Sequence, residues 1–316
     1  MMPAHSCYVF GPVPSRRLGL SLGVDLVPFK TCTHDCLYCQ LGRTTDKTVQ
    51  RTEYVPVTEV LTQVETALTK GPRPDVITLA GSGEPTLHSR LGRIVQDIKR
   101  LTEVPLVILT NGSLFDRPEV RRDCVSADIV IPSLDAGTEE TFQRINRPAA
   151  GMTLAQHVEG LVAFRDEFPG RFWLEVMLVE GVNTSDEEIA RLRSLAERVR
   201  PDRIQLNTVV RPPAERTAVA VGRERLMEIC RAMGPPAEIV GPVRSKHAAV
   251  ENASANARCA EDVLAVIQRH PCTAEDVAAG LGITRDEAAR HLERLLAEQL
   301  VDRRVCGHQE YYEACV

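Results

Sequence analysis

Lys30-Thr-Cys-Thr-His-Asp-Cys-Leu-Tyr-Cys-Gln40 carries three cysteines, Cys32, Cys36 and Cys39, in a C-x3-C-x2-C spacing. A loop so spaced can wrap three thiolates around one face of a cubane iron-sulfur cluster and leave the fourth iron without a protein ligand. In a ferredoxin site every iron is closed by a thiolate and only electrons pass. A zinc module normally needs four ligands, often two C-x2-C halves or a C-x2-C with a later histidine pair. The next cysteine along the chain is Cys124, so a zinc site would have to be finished by His34 or His5. An iron left open is an iron at which chemistry can occur.

The rest of the composition places this loop in an ordinary soluble chain. With 316 residues, 43% of them hydrophobic, the sequence can bury one large core and one small one. The formal charge of −5 comes from interspersed acidic and basic positions, so no global field favours nucleic acid or an anionic membrane. Ten cysteines over this length are too few for a disulfide scaffold, which points to reduced thiols and a cytoplasmic location. The first residues lack a basic segment followed by an apolar run, and no stretch approaches the ~18 apolar residues that span a bilayer.

Downstream, apolar runs rich in β-branched residues alternate with helical periodicity. Strands are expected at Leu18 to Val27, Val76 to Ala80, Leu106 to Leu109, Ile129 to Ile131, Trp173 to Val179 and Arg203 to Leu206. Helices are expected at Thr58 to Leu68, Ser89 to Leu101, Pro118 to Val125, Leu154 to Phe168, Ser185 to Val199 and Arg223 to Met233. Strand then helix, repeated, argues for an α/β fold of parallel strands with helical crossovers, either doubly wound or an open barrel. In both, the active face lies at the carboxyl ends of the strands.

The cysteine spacing, with the aromatic Tyr38 just before the last cysteine, resembles the radical S-adenosylmethionine (SAM) superfamily. The resemblance implies a partial (β/α)6 barrel whose cluster loop follows the first strand, with residues 1–235 as the barrel. It implies that Cys32, Cys36 and Cys39 hold a 4Fe-4S cluster whose open iron chelates S-adenosylmethionine, with Tyr38 facing the adenine. It also implies one-electron cleavage of the sulfonium to a 5'-deoxyadenosyl radical that takes hydrogen from substrate, fed by an electron donor such as flavodoxin or ferredoxin.

Residues just after each strand extend the resemblance. Ala80-Gly-Ser-Gly-Glu-Pro-Thr86 is similar to the superfamily motif whose backbone carbonyls bind the amino group of S-adenosylmethionine, which makes Gly81, Ser82, Gly83 and Glu84 candidates; by itself it is a glycine-rich turn. Asn111, Ser133, Asp135 and Asn207 are candidates for contacts to the ribose, carboxylate or nucleoside. Read locally, Asn111-Gly112 is a tight turn and Asp135 a helix N-cap. Glu175 and Gln205 are polar positions within apolar strands that line the barrel, and Asn183 follows the fifth strand. Arg144 and Arg147 lie near the active face, where they could meet an anionic substrate or stay solvated, and Lys30 is read as solvated, with a nucleophile or phosphate contact as the alternative. The opening segment Phe10 to Gly23, with Ser15, Arg16 and Arg17, resembles a bacterial subgroup related to wyosine-tRNA synthetase, yet only Cys7 precedes Cys32, and one thiol cannot hold that family's second cluster.

Residues 236–257 read as a connector, with an extra strand at Glu238 to Val243. Residues 258–316 then give helical spacing at Glu261 to Gln268, a capping box at Thr273-Ala-Glu-Asp276, a third helix from Ile283-Thr-Arg-Asp-Glu287 and a hairpin around Gly307, a pattern resembling a winged helix. From Ala255 onward seven Lys and Arg face eleven Asp and Glu. That balance speaks against DNA and for a protein, peptide or substrate-gripping role. Cys259, Cys272, Cys306 and Cys315 fall here, either as core residues or as ligands of a second metal site. The expected protein is a radical SAM enzyme, an oxidoreductase in the broad sense, acting on tRNA, a peptide or a small molecule. The alternatives are an iron- or SAM-sensing DNA-binding regulator with a degenerate radical domain, and a non-catalytic zinc protein.

Overall fold

Along the strand Leu106–Thr110, Leu106 and Ile108 join one apolar cluster while Val107 and Leu109 join another. This alternation marks a strand buried on both faces. It recurs in the neighbouring strands and defines two layers, an outer one shared with the helices and an inner one facing the lumen. The computed structural model describes residues 7–241, 260–269, 271–306 and 309–315.

The chain begins with β1 (Val9–Ser15), β2 (Gly19–Val24) and two short strands in the cysteine loop, β3 (Thr31–Cys32) and β4 (Asp46–Lys47). Then follow α1 (Val57–Lys70), β5 (Val76–Leu79), α2 (Leu91–Leu101), β6 (Leu106–Thr110), α3 (Pro118–Cys124), β7 (Ile129–Pro132), α4 (Glu139–Ile145), α5 (Leu154–Glu167), β8 (Arg171–Leu178), α6 (Asp186–Val199), β9 (Arg203–Thr208), α7 (Arg223–Met233) and β10 (Ala237–Ile239). The sheet order is β1-β2-β5-β6-β7-β8-β9-β10, with only the β1–β2 pair antiparallel. Parallel strands laid down in chain order make a singly wound, open barrel; a doubly wound sheet would reverse its order midway. The fold is therefore the expected α/β partial barrel.

The six expected strands and six helices are all present, with ends shifted by a few residues. Two features were not foreseen: the turn-rich opening segment forms β1 and pairs back on β2, and α4 fills the stretch between β7 and α5. The extra strand expected from Glu238 forms as Ala237–Ile239 and adds to the sheet beside β9. The remainder of the expected strand, residues 242–243, lies outside the described residues, as do His5, Cys259 and Gly307.

After α8 (Ala260–Ile267) come α9 (Ala274–Leu281), α10 (Arg285–Ala297), β11 (Val301–Cys306) and β12 (Gln309–Ala314), three helices and an antiparallel hairpin with their own apolar core. The sequence-predicted capping box between Thr273 and Asp276 is formed, and a second reciprocal box joins Thr284 and Glu287 at the start of α10. Cys272 is fully buried in that core, and burial pushes its thiol up to about 12. Among the described residues no helix is long and apolar enough to cross a membrane.

Candidate active site

The cysteine loop leaves the carboxyl end of β2 and is fixed by backbone bonds before any metal is considered. Asp35 and Leu37 amides donate to the carbonyls of Asn146 (3.1 Å) and Ile145 (3.0 Å), and Cys39 donates to Cys36 (3.1 Å). Thr44 donates to Oδ1 of Asp35 at 2.8 Å. The three thiols are half-buried. Burial raises all three, Cys32 to about 12 and Cys36 well above the usual thiol range. Left alone they would be protonated, whereas a cationic centre would offset the cost of ionising them together.

Two amide groups are aimed at the sulfurs. Asn111 Nδ2 lies 3.6 Å from Cys32 Sγ, and Asn146 Nδ2 lies 3.6 Å from Cys36 Sγ. Donors of this kind stabilise thiolate sulfur and tune cluster potentials. Three thiols with amide donors beside two of them are, by donor type, a set that an iron-sulfur cluster can use.

Gly81-Ser-Gly-Glu84, after β5, lies directly against the start of the loop. The Lys30 amide donates to the Ser82 carbonyl (2.6 Å) and the Glu84 amide to the Thr31 carbonyl (3.1 Å). A Cβ on Gly83 would sit 1.8 Å from the Thr31 oxygen, so only glycine permits this approach. Glu84 points inward: Oε1 accepts from the Thr86 amide (3.0 Å), the Thr86 hydroxyl (2.6 Å) and the Thr110 hydroxyl (2.6 Å), and Oε2 accepts from the Asn111 amide (2.7 Å). It thereby sets Asn111, whose Nδ2 also donates to Thr33 at 2.7 Å and whose Oδ1 accepts from the Ser113 amide at 3.0 Å. The tight turn at Asn111 and its reach toward Cys32 coexist.

Asp135 is almost fully buried, and its carboxylate accepts from the Tyr38 hydroxyl (2.5 Å), Asn146 Nδ2 (2.7 Å) and the Met177 amide (2.8 Å). Burial pushes it up to about 6 against those three donors. It is no helix cap, because Thr138 caps α4. The Ser133 carbonyl accepts from His157 Nε2 at 2.9 Å. Asn183 serves the backbone, donating to the carbonyls of Asp135 and Met177, both at 2.8 Å.

Asn207 belongs to a different group. The β1–β2 turn extends across the open side of the sheet, and Arg17 pairs with Glu175 (3.0 Å) and donates to Gln205 (3.3 Å), while Arg16 donates to Asn207 (2.9 Å). Asn207 in turn donates to Glu175 at 3.0 Å. These strand residues alternate with the outer-layer Leu174, Ile204 and Leu206 and so line the lumen, as expected of Glu175 and Gln205. Burial and the neighbouring Arg211 and Arg17 lower Arg16 to about 10.

Arg144 is exposed, and Arg147 pairs with Glu215 at 2.9 Å. Lys30 departs from the solvated reading: it is 9% exposed, with φ of 61°, and its Nζ lies 5.2 Å from the Phe29 ring centre. It borders a cleft of about 190 Å³ between barrel and C-terminal domain, lined also by Gln40, Pro212, Gln268 and Arg304. Sequence reasoning missed Asp25, Asn146 and Arg269, whose partners are remote in the chain; an acidic residue ending the first strand was the one local signal available.

Similarity to known proteins extends over both parts of the chain. The model of the Radical SAM superfamily matches residues 26–193, and that of the MarR family matches residues 262–310. A protein called GTPase Obg from Brachyspira hyodysenteriae is 37% identical over 91% of this chain, which spans only 42% of that protein's length. UPF0026 protein MJ1312 of Methanocaldococcus jannaschii is 34% identical over 84% of this chain and 83% of its own. A UPF0026 protein of Helicobacter pylori J99 is 34% identical over 96% of each chain. Among solved structures, Streptococcus suis SuiB bound to S-adenosylmethionine shares the fold at a TM-score of 0.52 and 13% identity, over 69% of this chain and 49% of that one. A radical SAM methyltransferase from Sphaerobacter thermophilus does so at 0.50 and 20%, over 69% and 65%.

Proposed function

Because the chain belongs to the Radical SAM superfamily, we propose that it reductively cleaves S-adenosylmethionine at a 4Fe-4S cluster held by Cys32, Cys36 and Cys39 and abstracts hydrogen from an organic substrate. The observation that carries this reading is the meeting of three half-buried thiols with amide donors from Asn111 and Asn146 at the carboxyl end of the barrel. When bound, the cluster supplies one electron to the sulfonium and its open iron holds the amino acid end of the cosubstrate.

The protein's own groups do the rest. A backbone carbonyl of the Gly81–Glu84 turn would accept from the amino group, and Glu84 fixes that turn to β6 through Thr110 and Asn111. Tyr38 is held by Asp135 through its hydroxyl and would lie near the adenine. The lumen residues Arg16, Arg17, Glu175 and Asn207 form a polar wall on the open side, where a substrate would enter, and an external electron carrier would approach the cluster loop.

Anaerobic reconstitution followed by reduction with dithionite and S-adenosylmethionine tests the reading. The expected result is about four irons and four sulfides per chain, with 5'-deoxyadenosine formed only when reductant is present. Cys36→Ala is expected to lose both. A Cys36→Ala protein that still cleaves, or a wild-type chain that retains zinc and no sulfide, refutes the proposal.

A further inference from the structure

Arg269, in the turn after α8, leaves the C-terminal domain and enters the barrel. Its Nε lies 3.3 Å from Oδ2 of Asp25, with the two side chains 11% and 5% exposed. Its guanidinium covers the Phe10 ring, 5.0 Å from the ring centre, and its other nitrogens donate to the carbonyls of Ala265 and Cys7. The side chain is thus fixed from both domains.

Asp25 directly follows β2 and is committed to the glycine-rich turn. Oδ1 accepts the Ser82 amide at 3.0 Å, and Oδ2 accepts the Ser82 hydroxyl. Gly81, with φ of +150°, passes so close that a Cβ there would lie 2.7 Å from the Asp25 carboxyl carbon. Beyond Ser82 the chain of contacts reaches the cysteine loop through the Lys30 amide. A carboxylate this sheltered stays ionised only with a partner. Burial raises Asp25, and Arg269 is the largest influence opposing it.

The geometry points to Arg269 as a positioning residue for S-adenosylmethionine: paired with Asp25, it lets the C-terminal domain set the conformation of the Gly81–Glu84 turn and so the affinity of the barrel for the cosubstrate. This rests on the functional reading above. The domain is seated to do so, because Val13 of β1 packs into its core beside Gly280, and the Tyr311 hydroxyl donates to the Val210 carbonyl at 2.9 Å. In this arrangement the winged-helix domain reaches the cofactor site through the Arg269–Asp25 pair.

Calorimetric titration of S-adenosylmethionine into the reconstituted full-length protein tests it, with iron content checking that each variant is loaded. Arg269→Met is expected to weaken binding roughly tenfold, about 1.4 kcal/mol. Arg269→Gln, which keeps the stem and neutral donors, is expected to show the same loss and serves if the methionine variant does not fold. Arg269→Lys is expected to restore most of the affinity. Asp25→Asn combined with Arg269→Gln is expected to be no worse than either single change. Binding by Arg269→Gln equal to wild type overturns the coupling alone, as do losses for Asp25→Asn and Arg269→Gln that simply add. Absence of binding to the unaltered protein overturns both this inference and the proposed function.

Discussion

The hydroxyl of Tyr38 donates to Oδ2 of Asp135 over 2.5 Å, joining the residue before the last loop cysteine to a strand end 97 positions away. The same carboxylate holds Asn146, whose amide lies beside Cys36 Sγ. Asp135 therefore ties ring, sulfur and strand together. Tyr38→Phe keeps the ring and removes one hydrogen bond to a charged group, a change expected to cost about 2 kcal/mol of stability. Iron loss to a chelator, followed by absorbance, is expected to be faster in this variant; an unchanged rate would separate the hydroxyl from the anchoring of the loop.

Glu84 is expected to be the most sensitive position of the glycine-rich motif. In Glu84→Ala the amides of Thr86 and Asn111 lose their acceptors in a dry interior, at a cost of about 3 kcal/mol. Glu84→Gln, which keeps one oxygen, should lose about half of that. Denaturant unfolding of the cluster-free protein measures both, and a neutral Glu84→Ala would remove the organising role given to this carboxylate.

Glu175 is the acidic partner of Arg17 in the lumen, with Arg16 near by. Glu175→Leu leaves Arg17 sheltered and unpaired and is expected to destabilise the fold by about 3–5 kcal/mol. Adding Arg17→Met should recover most of this, since the cost lies in the stranded charge. Melting temperatures of the two single variants and the double variant decide the point.

His157 is buried, stacked on Phe142 with ring centres 5.6 Å apart, and burial lowers it from 6.5 to about 4. Below pH 6.5 the unfolded chain takes up a proton here that the folded chain refuses. The stability this neutral ring allows is therefore complete above pH 6.5 and is lost as pH falls toward 4, by about 1.4 kcal/mol per pH unit. His157→Gln, compared with wild type by unfolding at pH 7 and pH 5, is expected to narrow the loss by about 2 kcal/mol. Parallel pH profiles would place the acid sensitivity elsewhere.

Some of this protein is written in short stretches of its sequence. Cys32, Cys36 and Cys39 lie within one turn-forming loop, strand and helix periods repeat over a few residues, and Thr273 and Thr284 mark the starts of their helices with an acidic partner three residues on. Each of those signals depends on neighbours close in the chain, and each was legible without coordinates. The function of Asp135 as an anchor, the bonding of Arg17 to Glu175 across 158 positions and of Arg16 to Asn207 across 191, and the pairing of Arg269 with Asp25 were not. An isolated Arg or Asp carries no mark of its partner. The partner is chosen by how the strands stagger around the open barrel, by where the β1–β2 turn crosses its gap, and by how the C-terminal domain seats on β1. Those are properties of closed packing, in which a buried charge must find its complement wherever the chain brings one.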